Sequence, residues 1–351
     1  MKPQDLIRPE ILSLKAYHVP PSEGMVKLDA MENPYVLPDG LRRELADALA
    51  RVEANRYPDP DPGKLKEAIA RRMGVPAGMK LMLGNGSDEL IQILALALAR
   101  PGAAIMYPAP TFVMYSMSAA YTGMKAISIP LRSDFSFDAQ AFIARMKAEK
   151  PALAFIAYPN NPTGVLYPQE DIAQVIRAAP GLVCVDEAYH VFAGQSFMGR
   201  LAEFPNLVVL RTMSKLGLAG LRLGYLAGAP EWIEQLEKLR PPYNVGVLTQ
   251  AAALLLMERV DVLEEQAARI RADRATLAPA LAALPGVTVY PSQANFFLVR
   301  VPDAPRIFEA LKTQGVLVKN LHPGMQNCLR VTVGTPDENR ILLAAMKEAL
   351  K

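Results

Sequence analysis

The sequence is short of several things, and each shortage narrows the field. It has two cysteines in 351 residues, Cys184 and Cys328, each inside an apolar run that reads as a buried strand. Two isolated thiols without a Cys-x-x-Cys spacing argue against a disulfide framework or a thiolate metal site and for plain core packing. It has three histidines, His18, His190 and His322, none at metal-ligand spacing from another, so no metal is expected. No uninterrupted apolar run approaches the ~18 residues of a membrane span. The N-terminal stretch lacks a basic-then-apolar leader, which makes the cytoplasm the expected location. An excess of one charge is missing too: 38 Lys and Arg stand against 35 Asp and Glu, for a net charge of +3, and no basic block forms. Neither nucleic acid nor a membrane is therefore an expected partner.

Apolar residues make up 51% of the chain and charged residues 21%, ample for a globular core. The length suggests about two domains. Residues 1–35 are Pro-rich and irregular and read as an arm that packs on the rest. Helical periodicity is expected at 39–54 and 63–73, separated by the extended, turn-forming stretch Asn55-Arg56-Tyr57-Pro58-Asp59-Pro60. From residue 80, short apolar runs at 80–83, 103–107, 124–129, 152–158, 182–186, 207–211 and 223–228 alternate with helical stretches at 87–99, 111–122, 138–148 and 168–178. That alternation predicts an α/β fold whose mainly parallel seven-stranded sheet lies between helices. Helices follow at 231–239, 246–259 and 262–284, the last a link between domains. Strands near 287–290, 295–301, 316–318 and 328–333, with helices at 304–314 and 336–350, predict a smaller α+β domain completed by part of the arm. The expected division is an arm at 1–35, a large domain at 36–260 and a small domain at 261–351.

Sheets of this kind bind ligands beyond the carboxyl ends of their strands, and six features fall at or near those ends. Gly84-Asn85-Gly86-Ser87-Asp88-Glu89 joins a strand to a helix and suits a phosphate, or else is a turn with Ser87 or Asp88 as N-cap. It lacks the third glycine of a dinucleotide fingerprint. Phe112 could stack on a flat ligand or belong to the core. In Tyr158-Pro159-Asn160-Asn161-Pro162-Thr163-Gly164 the turn leaves Asn161 facing the crevice, as a donor or as part of a surface turn. Asp186, ending Leu182-Val183-Cys184-Val185, could hold a protonated ring nitrogen or cap the next segment. Lys215, in Thr212-Met213-Ser214-Lys215, is placed to lose its solvation and serve as a free amine, although most lysines are simply solvated. Arg222, seven residues further on, could fork onto phosphate or form a structural ion pair.

Taken in order, these features resemble the fold-type-I pyridoxal-phosphate aminotransferases. With Arg8-Pro9, Asn55-Arg56-Tyr57-Pro58-Asp59 and Leu329-Arg330-Val331-Thr332-Val333-Gly334-Thr335, the chain is similar to the histidinol-phosphate aminotransferases from about residue 8 to 350. The resemblance implies pyridoxal 5'-phosphate as cofactor, bonded through its aldehyde to Lys215, the catalytic residue. It implies Asp186 on the ring nitrogen, Asn161 and Tyr189 on the ring hydroxyl oxygen, and Phe112 on the ring face, where the family often has Tyr. Ser87, Asp88, Ser214 and Arg222 would take the cofactor phosphate, joined by Tyr57 from the partner subunit of a homodimer. Arg330 would bind the distal anion of the substrate, with Tyr17, Asn33 and Lys319 also near substrate. The chain departs from the family twice. Many members place the phosphate arginine eight residues after the lysine rather than seven. Lys319 stands where some carry a second arginine, keeping the charge but losing the bidentate fork. The implied activity is amino-group transfer between histidinol phosphate and 2-oxoglutarate. An aromatic amino acid aminotransferase and a threonine-phosphate decarboxylase-like enzyme are the alternatives.

Overall fold

The computed structural model describes residues 1–14, 16 and 20–351. The arm supplies a short helix, α1 (Pro9–Leu12), and a two-residue strand, β1 (Val26–Lys27). Helices α2 (Asp39–Ala50) and α3 (Gly63–Met73) follow. Helix α2 stops short of the expected residue 54. Beyond Ala50 the chain turns, with Val52 N–H bonding Leu49 O and Arg56 N–H bonding Glu53 O.

The apolar runs become β2 (Lys80–Asn85), β3 (Ala104–Ala109), β4 (Lys125–Pro130), β5 (Leu153–Ala157), β6 (Leu182–Asp186), β7 (Leu207–Thr212) and β8 (Leu223–Gly228). They form one seven-stranded sheet in the order β2-β8-β7-β6-β5-β3-β4. Only β8 runs against the others: it pairs antiparallel with β2 and β7, whereas the remaining pairs are parallel. Every residue of β5, β6, β7 and β8 is buried, as strands covered on both faces require.

Alternate side chains of one strand feed opposite layers. Ile156 and Val185 pack with Leu65 and Ile69 of α3, with α6 (Ala139–Glu149) and α7 (Gln169–Ala178), and with α9 (Val247–Glu258). Phe155 and Cys184 pack on the other face with α4 (Ser87–Leu98), α5 (Met114–Thr122) and α8 (Pro230–Leu236). Helix α10 (Val260–Ala282) begins in the first of these cores, through Leu263, and ends in a third, through Ile270, Leu277 and Leu281.

That third core belongs to the C-terminal elements: β9 (Thr288–Val289), β10 (Phe296–Arg300), α11 (Ala304–Thr313), β11 (Val316–Leu317), β12 (Lys319–Asn320), β13 (Cys328–Thr332) and α12 (Pro336–Ala349). Four strands form an antiparallel sheet in the order β12-β13-β10-β9, and β1 of the arm pairs in parallel with β11. Both cysteines are buried in strands, Cys184 in β6 and Cys328 in β13. No helix among the described residues is long and apolar enough to cross a membrane.

A buried ion pair ties β6 to β7 at the edge where ligands are expected. Glu187 follows the last residue of β6 and is fully buried, and its Oε2 lies 2.8 Å from Nη2 of Arg211 in β7. Ser196 and the Phe197 N–H complete the carboxylate's hydrogen bonds, and Arg211 also donates to Met73 O and Tyr225 Oη. Removing one member of such a pair strands a charge in the interior. Glu187→Ala should therefore lower unfolding stability by ~3–5 kcal/mol, read as a lower denaturant midpoint with an unchanged slope. An unchanged midpoint would show that the pair carries no net stabilisation.

Candidate active site

Because six of the seven strands share a direction, their carboxyl ends open on one edge. Arg222 precedes β8, yet it reaches the same edge because β8 runs backwards. A cavity of about 400 Å³ lies there, within the range of small-ligand sites. Its walls contain Ser87 and Asp88 from the start of α4, Phe112 and Tyr115 before and within α5, and Asn161 after β5. Asp186 and Tyr189 come from the end of β6, and Ser214, Lys215 and Arg222 from the β7–β8 connection. The arm closes one side with Ala30, Met31 and Glu32.

The start of α4 is open to an anion. Its N-cap is Gly86, and no side chain caps the helix, so Ser87 and Asp88 lie in the first turn rather than capping it. The free N–H groups and the helix dipole both favour negative charge there. Gly86 (φ +81°) and Gly224 let three segments meet: a Cβ on Gly86 would lie 2.7 Å from Arg222 Nη2, and one on Gly224 2.7 Å from Ser87 N. The guanidinium is held 3.4 Å from Ser214 Oγ and 3.8 Å from Asp88 Oδ2. The connection that is one residue short in sequence is taken up by a single wide turn at Ser214–Leu218, a tight one at Ala219–Leu221, and a left-handed Arg222 (φ +51°). That backbone state costs about 1–2 kcal/mol for a non-glycine residue.

Asp186 is 4% exposed. Its Oδ2 accepts the Tyr115 hydroxyl at 2.7 Å and its Oδ1 accepts the Ala188 N–H at 3.0 Å, so it both shapes the following turn and faces the cavity. Burial, with Asp88 and Glu187 adding to it, raises its pKa to about 6 against the Tyr115 and Ala188 hydrogen bonds. A cation in the cavity would reverse that shift. Lys215 Nζ donates to Ala30 O at 2.8 Å and lies 5.9 Å from the Tyr189 ring centroid. Burial, then the nearby Arg330 charge, lowers its pKa to about 8, which leaves roughly a tenth of the amine neutral near pH 7. Phe112 meets Tyr115 edge-on, with ring centroids 5.8 Å apart. The Tyr189 hydroxyl reaches Met31 Sδ at 3.5 Å.

The other residues expected here are placed differently. Arg330 stands behind the lining, giving Nη1 to Asn161 Oδ1 at 2.7 Å and Nη2 to Asp29 O at 2.8 Å. Lys319 lies opposite Arg330 in the β12–β13 register and is half-buried. Tyr57 is on the surface, 81% exposed, with its ring 4.5 Å from that of Tyr243. Tyr17 lies outside the described residues. Asn33 also stands behind the lining: its amide donates to Leu216 O and Gln266 Oε1 and accepts the Tyr35 N–H, anchoring the arm to the lysine turn and α10. Tyr115, Thr212 and Met31 line the cavity without having been expected. Thr212 had a signal, its place at the end of β7, and bonds Ser214 Oγ at 3.0 Å.

These groups fit pyridoxal phosphate. An uncapped helix start with an arginine suits its phosphate, a buried carboxylate beside the cavity needs a cation such as the ring nitrogen, and an amine with a depressed pKa suits its aldehyde. Comparison with known proteins agrees. The model of the family described as aminotransferase class I and II matches residues 23–346. "Histidinol-phosphate aminotransferase 2" of Burkholderia pseudomallei is 55% identical over 99% of both chains. The histidinol-phosphate aminotransferase of Chromobacterium violaceum is 54% identical over 98% of both. Among solved structures, the histidinol-phosphate aminotransferase from Sinorhizobium meliloti in complex with pyridoxal-5'-phosphate superposes with a TM-score of 0.87 at 25% identity, covering 98% of this chain and 97% of that one.

Proposed function

As the chain belongs to the class I and II aminotransferases, we propose that it is a pyridoxal-phosphate enzyme exchanging an amino group between L-histidinol phosphate and 2-oxoglutarate. The observation that carries this reading is an amine of depressed pKa, Lys215, in one cavity with a buried carboxylate, Asp186. Bound pyridoxal phosphate supplies an aldehyde for amines and a cationic ring that accepts electrons.

The chain's own residues do the rest. The N–H groups of Ser87 and Asp88, Ser214 Oγ and the Arg222 guanidinium hold the phosphate. Asp186 keeps a proton on the ring nitrogen, Asn161 and Tyr189 hydrogen-bond the ring hydroxyl oxygen, and Phe112 covers a ring face. Lys215 Nζ, once neutral, takes a proton from the substrate carbon that bears nitrogen and later gives one back. Arg330 holds the far anion, a phosphate ester in one half-reaction and a carboxylate in the other, since a guanidinium forks onto both. Lys319 supports that charge from the neighbouring strand. Tyr17 covers the substrate from the arm. In a homodimer, Tyr57 reaches the partner's cofactor phosphate. Its exposed ring, beside Tyr243, supports a place at an interface. The arm, large and small domains divide at residues 35 and 260, and the enzyme works in the cytoplasm, where two unpaired thiols suit a reducing milieu.

Steady-state assays with histidinol phosphate and with phenylalanine test the substrate. Preference for phenylalanine, or release of carbon dioxide, overturns it. Arg330→Ala should raise KM for histidinol phosphate by ~10–100-fold, the loss expected for charge-assisted hydrogen bonds. Cofactor affinity should change little. A weakened cofactor with an unchanged KM would mean that Arg330 serves the cofactor rather than the substrate.

A further inference from the structure

We propose that Tyr115 is a positioning residue for the reaction: its hydroxyl holds Asp186 ionised and aimed into the cavity, while its ring sets the angle of Phe112. The inference rests on the reading above for its catalytic consequence, although not for the hydrogen bond itself.

Tyr115 is fully buried in the first turn of α5, three residues after Phe112. Its ring stacks on Phe155 of β5, with centroids 4.5 Å apart and planes within 2°, so it has little freedom to rotate away. Its Oη donates to Asp186 Oδ2 at 2.7 Å, and its ring edge meets Phe112 at 87°. One side chain thus touches both the carboxylate proposed for the ring nitrogen and the aromatic proposed for the ring face. The cations Lys215 and Arg222 line the same cavity from the β7–β8 connection, while the other titratable groups beside Asp186 oppose its ionisation or bring no positive charge. Asp88 from α4 and Glu187 beside it are like charges, and Cys184 and Tyr189 bring no positive charge. Among the described residues, two hydrogen bonds favour the ionised carboxylate, from Tyr115 Oη and Ala188 N. The backbone bond survives any substitution at position 188 except proline, so Tyr115 is the side chain through which the sequence controls this carboxylate. The proton of the bond stays on the tyrosine, whose own pKa burial and Asp186 push far up.

Tyr115→Phe keeps the ring and its stacking and deletes only the donor. The test has two arms. In the first, thermal midpoints of the cofactor-free protein are measured across pH, for wild type and Tyr115→Phe, each alone and with Asp186→Asn. Loss of the donor should move the pH window of the Asp186-dependent stability change upward by ~1 unit. In the Asp186→Asn background no such shift should remain. In the second arm, cofactor binding near pH 7 should be ~10-fold weaker in Tyr115→Phe, the loss of one hydrogen bond to a charged group. A uniform drop in midpoint at every pH, with or without Asp186, would reduce Tyr115 to core packing and overturn the proposal. If no variant, wild type included, bound the cofactor, the functional reading would fail while the first arm still decided the role of Tyr115.

Discussion

Lys215→Ala is expected to lower turnover by ~10⁴-fold, the upper range for loss of a positioned general base, while the folded protein still takes up pyridoxal phosphate. Uptake should survive because the groups proposed for the phosphate lie elsewhere, at the start of α4, on Ser214 and on Arg222. Turnover should not, because no other amine lines the cavity among the described residues. The environment that makes Lys215 useful also gives a pH signature. Burial and the Arg330 charge bring its pKa down to about 8, so the rate at which wild-type apoprotein captures the aldehyde should climb with pH to about 8 and then level. An exposed lysine would keep gaining reactivity up to its ordinary value of about 10.4. Ordinary turnover by Lys215→Ala would remove Lys215 from the chemistry altogether.

What the sequence made legible was decided by locality. Strands β5, β6 and β7 are continuous apolar runs bounded by turn residues, a pattern that states burial on both faces without reference to the rest of the chain. Residues at their ends could be singled out because the parallel topology dictates where ligands go. The backward run of β8 could not be read, since an apolar hexamer carries no sign of its direction, and that reversal is what brings Arg222 to the site. The partners of Asn33 were illegible for a related reason: nothing in Glu32-Asn33-Pro34 reveals that Leu216 O and Gln266 Oε1, about half a chain or more away, take its amide hydrogens. Tyr115 sits in Met114-Tyr115-Ser116-Met117, an unremarked helical stretch. Its meaning comes only from the packing of α5 over the end of β6. Local pattern thus reached residues that the fold gathers around one cavity and was blind to most of those that hold them in place.

Asp186 is where this aiming conflicts with stability. Asp186→Asn should cost ~10³-fold or more in turnover, because an amide cannot hold a positive charge on the ring nitrogen through an ion pair in a low-dielectric site. The same change should stabilise the cofactor-free protein. In the apoprotein burial raises the pKa of Asp186 from 3.8 to about 6, so the folded state resists its ionisation. A group whose folded pKa is raised contributes stability that is fully present below the unfolded value and is lost as pH rises through the folded one. Wild-type apoprotein should therefore lose about 2–3 kcal/mol between pH 4 and pH 6 through this one carboxyl, at about 1.4 kcal/mol per pKa unit. Asp186→Asn has no proton to lose there. The two apoproteins should match near pH 4, with the variant more stable above pH 6. Adding cofactor should reverse the order, since only the carboxylate gains a cationic partner. Denaturant titrations at pH 4 and pH 7, with and without pyridoxal phosphate, read all four states. An Asp186→Asn apoprotein less stable than wild type at pH 7 would mean that the carboxylate is stabilised by its two hydrogen bonds more than burial opposes it, and that the site carries no strain for the cofactor to relieve.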